Sequence, residues 1–464
     1  MKRFWLVLLS LGLVMAFSAS AFAVDVKVGA EYYATGVYLN KVTVWDGHES
    51  DLGDYTHYPS TAFFYQRLRV GTDFIVSPSL KLVTRFDAME RIWGGQRSTV
   101  GTDNAAGTSA GTRAENENIA FDLAYIDYTS PIGEFKVGYQ PDVVWGTVFA
   151  DFGNGAPAGQ IQYFKNVGQF TFAALYAKET DKSMSAVSAT TQDATRTDRD
   201  ADSYRIGGIY NFKDGEAGAL LIWNRDATNR GSRGNNQDTD HNYLSNVYVI
   251  DPYVKAKIGP IALQAEAQYY FGDSKKYEGY VLNATNVSIS ALSVFIDATA
   301  NFGMFYGGLS LAYLSGQDTG KEDQVTGGIN TAGLDWNPCL ILFNNDLRYW
   351  TGYEPSGHGY APSIHQEMSN AWFGQLRGGV KPTPQLDVML AVAYAQADKK
   401  PYDVPGGTYG TEIDLTGTYK ITNNLSYMLG FGYLFTGDFF KGDCDGGPRV
   451  VDDFILINKL TLSF

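Results

Sequence analysis

The chain has 464 residues, with 36 Lys and Arg against 50 Asp and Glu, a formal net charge of −14. That balance excludes a nucleic-acid binder, which needs a basic face. Beyond the N-terminus no run of 18 apolar residues occurs, so helical membrane spans are excluded too, whereas 31 Tyr, 27 Phe, 51 Gly and only 15 Pro suit strands of which every second residue is apolar.

Residues 1–23 read as a secretory signal peptide. Lys2 and Arg3 form the charged region, Phe4 to Phe17 the apolar region, and Ala21-Phe22-Ala23 the small-x-small cleavage site. The apolar run is too short for a spanning helix. The expected mature chain is a single barrel domain, 24–464, and losing Lys2 and Arg3 takes its charge to −16. Much of the acid falls in predicted loops, including Asp46, Glu49, Asp51, Asp54, Asp198 and Asp202. These solvate the loops, and a negative field at the outer mouth would also enrich small cations.

Short turns rich in Gly, Pro and Asn punctuate the rest. They fall at 77–79, 130–133, 165–168, 213–216, 259–260, 301–303, 382–384 and 422–424. Longer polar segments alternate with them, at 40–61, 93–117, 141–158, 181–202, 229–244, 272–286, 315–370, 397–409 and 437–451. Eight turns and nine loops separate 18 strands, with both termini on the turn side. The expected fold is all-β: a transmembrane antiparallel β-barrel of about 18 strands with short periplasmic turns and long extracellular loops.

The early strands set which face meets lipid. On 62–76, Leu68, Val70, Thr72, Phe74 and Val76 go outward, which sends Arg67, Arg69 and Asp73 inward. On 80–92, Leu80, Leu82, Thr84 and Phe86 go outward and Lys81, Arg85 and Asp87 inward. On 134–140, Phe135 and Val137 go outward and Lys136 inward. The opposite phase would cost about 2–4 kcal/mol for each Arg or Lys at the bilayer midplane. In 119–129 the outward set Ile119, Phe121, Leu123 and Tyr125 runs into Asp127, which calls for a bulge or an interfacial position. The strand at 159–165 reads as short.

Four later strands share one template, an apolar residue at every second position ending in tyrosine. They are Ile261 to Tyr269, Phe305 to Tyr313, Leu386 to Tyr394 and Leu425 to Tyr433. Such a run covers ~26 Å. Tilted by about 40°, it rises ~20 Å, close to the ~25 Å apolar band of an outer-membrane barrel. Inward neighbours Glu266, Asp297, Asp387, Glu412 and Asp414 form an acidic sector, with Arg377 and Lys381 between. Facing it is the basic group Arg67, Arg69, Lys81, Arg85 and Lys136. Two readings stand side by side: a transverse field across a water-filled lumen, or ion pairs along the wall, such as Arg85 with Asp73 or Asp87. Small inward residues (Gly308, Ala312, Ala391, Ala393, Gly430, Gly432) suit a filled interior and a wide pore equally.

Loop 315–370 contains the apolar run Cys339-Leu340-Ile341-Leu342-Phe343. Loops this long usually carry function, either folded into the lumen or capping the mouth. The five histidines, His48, His57, His241, His358 and His365, all fall in predicted outer loops and read as surface residues. None shows a metal spacing, and none lies on a span beside a serine, so a hydrolase is rejected. Cys339 and Cys444, the only cysteines, are the candidate disulfide, expected to bridge in the oxidising periplasm. Asp443-Cys444-Asp445-Gly446-Gly447 reads as an acidic turn rather than a Ca²⁺ site. No C-x-x-C-H occurs, and no cofactor or metal is expected.

The hairpin Ala124-Tyr125-Ile126-Asp127-Tyr128 to Gly133-Glu134-Phe135-Lys136-Val137-Gly138 resembles a hairpin of Gram-negative outer-membrane porins. Those often carry Arg at the Lys136 position and Arg-Gln where Tyr139-Gln140 stand here. The last strand alternates Phe454, Leu456, Asn458, Leu460 and Leu462 and ends at Phe464. It is similar to the signal that outer-membrane insertion machinery reads. With the strand count, the chain resembles the general porin and alginate-export type of channel. That resemblance implies a protein of the cell outer membrane, in contact with lipid, that lets small polar or ionic solutes diffuse through. It leaves monomer and homo-oligomer open. The alternative is a structural sheath around a partner such as an extracellular-electron-transfer cytochrome. A plugged active transporter is not expected, because the mature chain enters its first strand at once.

Overall fold

A computed structural model describes residues 24–41, 44–46, 60–94, 119–151, 153, 157–182, 198–230, 242–278, 284–330, 335–351, 364–400, 404–441 and 449–464. The expected signal peptide, His48, His57, His241, His358 and Cys444 with its acidic turn lie outside the described residues.

Period-two alternation yields 18 wall strands: β1 Asp25–Leu39, β2 Thr61–Ser77, β3 Leu80–Ile92, β4 Ile119–Ser130, β5 Gly133–Pro141, β6 Pro157–Val167, β7 Phe170–Thr180, β8 Ala201–Phe212, β9 Gly215–Asp226, β10 Tyr243–Ile258, β11 Ile261–Tyr277, β12 Val287–Phe302, β13 Phe305–Leu314, β14 Ala371–Thr383, β15 Leu386–Ala397, β16 Thr408–Lys420, β17 Leu425–Thr436 and β18 Asp453–Ser463. Each pairs antiparallel with the next, and β1 also pairs with β18, from Glu31 opposite Ser463 to Leu39 opposite Ile455. The sheet therefore closes and leaves no free edge. A two-residue strand, Gln324–Val325, adds to it in parallel against β12. The eight short turns lie where the sequence puts them. Gly168, Gly259 and Gly303 supply positive φ at three of them.

Two spans differ from expectation. β6 is a full 11-residue strand, because its polar Gln160 and Gln162 face inward rather than ending it. β11 runs on to Tyr277, so the loop after it is shorter than 272–286. The conflict at Asp127 is resolved by a bulge. Arg85 of β3 faces Leu123 while its neighbour Phe86 faces Phe121, which leaves Asp122 as the extra residue. The phase flips there: Phe121 points out on one side, Ile126 and Tyr128 on the other, and Asp122 and Asp127 are both buried inside. Met89, with a φ of 55°, makes a second flip in β3.

The outward face carries the oily set. Leu390 and Val392 are 49% and 42% exposed, and the alternating Ala391 and Ala393 are 2% exposed each. A water-soluble fold would reverse that order. Near the loop end, outward rings run across five strands as Tyr176, Tyr204, Trp223, Tyr248 and Phe271, with successive centroids 5.1–6.3 Å apart. They form the aromatic belt of a membrane interface. The one amide in the outward row of β18, Asn458, donates to the Gly36 carbonyl at 3.2 Å. Gly36 has no side chain to block it, since a Cβ there would lie 2.7 Å from the amide nitrogen.

Candidate functional site

The interior is not an empty tube. Two of the long loops fold into it, and wall carboxylates hold them there. The first, after β5, turns back at 146–150, with the Trp145 amide donating to the Ala150 carbonyl at 3.0 Å. Four consecutive amides, Thr147 to Ala150, thereby converge on Glu266 of β11, at 2.5, 2.6, 3.0 and 2.9 Å, and the Thr147 hydroxyl adds a fifth bond at 2.7 Å. Successive main-chain N–H groups make an anion-binding concavity. Here a wall carboxylate fills it. Gly207 and Gly218 leave room for the Trp145 ring, which a Cβ on either would approach to 3.1 Å. At the loop's base Arg205 pairs with Asp142 and, at 3.0 Å, with Glu179.

The second is loop 315–370, and its apolar run lies inside the barrel. Glu412 of β16 accepts from the Ile341 and Leu342 amides, both at 2.7 Å, and Asp414 accepts from Leu340 at 3.2 Å. A short helix, α1 Asn345–Thr351, follows. Asn344 caps it through a bond from the Leu347 amide at 2.9 Å, and Trp350 stacks on Tyr65 of β2 at 4.3 Å. Ile341, Leu342 and Phe343 bury against Phe373, Ala393, Ala395 and Tyr409 of the wall. Phe343 holds a φ of 58°, an unfavourable conformation for a bulky residue. The loops meet where Phe149 packs on Trp336, 5.7 Å between centroids, with Phe295 of β12 against both.

His365 therefore departs from the surface reading. It is fully buried, with Nδ1 3.0 Å from the Ile341 carbonyl, and burial pushes its pKa down to about 4. Cys339 is also buried, and burial with the adjacent Glu412 and Asp414 pushes its thiol up. Asp346 of α1 is held above the usual carboxylate range by burial.

Most of the small inward residues make room for the second loop, whereas Gly308 makes room for the Arg377 side chain. Ala391, Ala393 and Ala312 are buried, and a Cβ on Gly430 or Gly432 would come within 3.3 or 3.1 Å of Leu340. What packs on them is this chain's own loop, not the separate partner of the sheath reading.

The basic group is a lattice of ion pairs. Arg69 grips Asp87 with two bonds of 2.7 Å. Arg85 pairs with Asp122 at 2.7 Å, not with Asp73 or Asp87, because the bulge turns Asp122 inward beside it. Arg67 lies 3.8 Å from Glu90 and 3.9 Å from Glu31. Lys81 bridges Asp73 and Asp127 at 3.5 and 3.4 Å, and Lys136 meets Glu134 at 3.6 Å. Across the lumen Arg377 pairs with Asp297 at 2.6 Å and Lys381 with Asp387 at 3.3 Å. Glu266, Glu412 and Asp414 lie under the loops rather than facing open water. Sequence reasoning passed over Lys459, whose ammonium stands 4.2 Å over the Tyr33 ring. Its place between Asn458 and Leu460 in an outward alternation was the signal. Beside the first loop a cavity of about 480 Å³ remains, lined by Asp142, Glu179, Asp202, Arg205, Arg225 and Gln268 among others.

No family model matches the sequence, and no curated protein matches it. Solved structures do resemble it. The chain is similar to OccAB3 of Acinetobacter baumannii, at 11% identity and a TM-score of 0.52, covering 95% of this chain and 99% of that one. OccK9 (OpdG) of Pseudomonas aeruginosa gives 12% identity and a TM-score of 0.52 over the same shares. A BenF-like porin from Pseudomonas fluorescens gives 13% and 0.50, again over 95% and 99%. At these identities the likeness establishes the fold alone: a closed antiparallel barrel of 18 strands.

Proposed function

We propose that the chain is an outer-membrane porin that lets small hydrophilic or ionic solutes diffuse through a narrowed lumen. One observation carries the reading: a closed barrel with an oily exterior holds two of its own loops inside by hydrogen bonds from loop amides to wall carboxylates. Loops fixed in this way set the width of the passage, and the ion-pair lattice of Arg67, Arg69 and Arg85 sets its charge. The same observation disfavours a sheath, since the space a partner would need is occupied by this chain. The fold likeness, which includes a porin, supports a channel over an enzyme. Residues 1–23 would be removed on export, and the strand ending at Phe464 would direct insertion.

The test is electrical. Purified protein in planar bilayers should give discrete conductance steps, and liposomes carrying it should swell in small sugars or amino acids. A silent bilayer together with osmotically tight liposomes would remove the channel reading.

A further inference from the structure

The two loop anchors are built differently. Glu266 receives five hydrogen bonds, whereas Glu412 and Asp414 together receive three from the loop amides. Among the described residues no Lys, Arg or His lies within ion-pair distance of Glu412 or Asp414. Two buried carboxylates side by side without a cation are unstable as a pair of charges. Asp414 is 5% exposed, and among the described residues no N–H or O–H donor reaches its Oδ1, whose carboxyl lies against that of Glu412. Gly432 keeps the wall open at that oxygen, since a Cβ there would lie 2.7 Å from it. The third member of the cluster comes from the loop. Cys339 Sγ and one oxygen each of Glu412 and Asp414 lie within 4.8 Å of one another. Donors within that reach can close on an ion, bound at about 2.0–2.3 Å from each, by small side-chain rotations.

We propose that Cys339, Glu412 and Asp414 form a site for a divalent metal ion of the zinc class, which staples the inserted loop to the barrel wall. The Asp414 oxygen that no donor reaches and the missing counter-charge leave a place for a cation, which would displace the proton shared between the two carboxyls. The sulfur selects its kind, because thiolate suits zinc and is not a ligand for the hard ions calcium and magnesium. Binding forms the metal–sulfur bond and releases the thiol proton, with any proton shared by the carboxylates, to solvent. The ion would enter before the loop docks.

The test uses the full barrel in detergent with Co²⁺ and Zn²⁺ as probes. One Zn²⁺ per chain is expected, and Co²⁺ should give a near-ultraviolet sulfur-to-metal charge-transfer band. Cys339→Ser should abolish the band and weaken Zn²⁺ binding by more than the ~10–100-fold that loss of an outer-shell partner costs. Cys444→Ser should change neither. If Cys339→Ser does not fold, the Cys444→Ser chain decides: bound Zn²⁺ should slow alkylation of Cys339 as urea opens the barrel. Binding without a sulfur band, equal alkylation rates with and without Zn²⁺, or a Cys339–Cys444 disulfide in the exported protein would each overturn the site.

Discussion

Glu266 and Thr147 stand 119 residues apart in sequence, yet one carboxylate oxygen of the first accepts both the amide and the hydroxyl of the second, at 2.5 and 2.7 Å. One wall residue thus gathers the tip of the first loop, while Arg205 and the seat of Trp145 hold its base.

Glu266→Gln should loosen that loop. The amide replaces one acceptor oxygen by a donor that faces loop N–H groups. Hydrogen bonds to a charged group contribute about 1.5–3 kcal/mol each. The expected outcome is noisier and larger single-channel current, with the barrel intact on gels. Current traces unchanged from the parent would show that the nest does not hold the loop.

Arg67→Ala with Arg85→Ala should shift the reversal potential toward cations. Removing both guanidinium groups leaves Glu90 and Asp122 in the lumen without these partners. A salt gradient across a planar bilayer measures the shift. No shift would place the passage away from β2 and β3.

Phe343 offers a test of backbone strain. Phe343→Ala and Phe343→Gly both lose the buried ring, at roughly 3–5 kcal/mol. Glycine alone relieves the positive φ, by about 1–2 kcal/mol. Glycine should therefore be the less harmful of the two in chemical unfolding of the barrel, despite the greater backbone freedom it loses on folding. Alanine equal to or better than glycine contradicts the strain.

His365 makes the long loop acid-sensitive. Its folded value of about 4 lies below the unfolded ~6.5, so the fold accepts the neutral ring. Its contribution is complete above pH ~6.5 and is lost as pH falls toward 4, by roughly 3 kcal/mol in all. Asp346, raised by burial, acts in the opposite sense. The informative quantity is therefore the difference between the parent and His365→Asn, whose amide can still donate to Ile341. Current noise should rise on acidification from pH 7 to 4.5 in the parent and less in the variant. Parallel behaviour of the two would exclude the imidazole as the cause.

The wall was legible in the sequence because a strand in lipid has to alternate. Leu390 and Val392 against Ala391 and Ala393 are enough to set a face, and eight Gly, Pro and Asn turns set the count. The bulge at Asp122 announced itself as a broken phase. The interior was not legible. Glu266, Glu412 and Asp414 look like any inward strand carboxylates, and nothing local shows that their partners are amides 70 or more residues away. The arginine pairing failed at Arg85 for a related reason, since one inserted residue on β4 exchanged Asp87 for Asp122.

The donors that reach Glu266 and Glu412 are mainly peptide groups, which every residue but proline supplies. The polar half of the attachment thus asks little of side-chain identity, while the packing of Phe149, Ile341 and Leu342 asks a good deal. Proline is therefore the one replacement at 148 or 341 that must delete a tether outright, whatever its bulk.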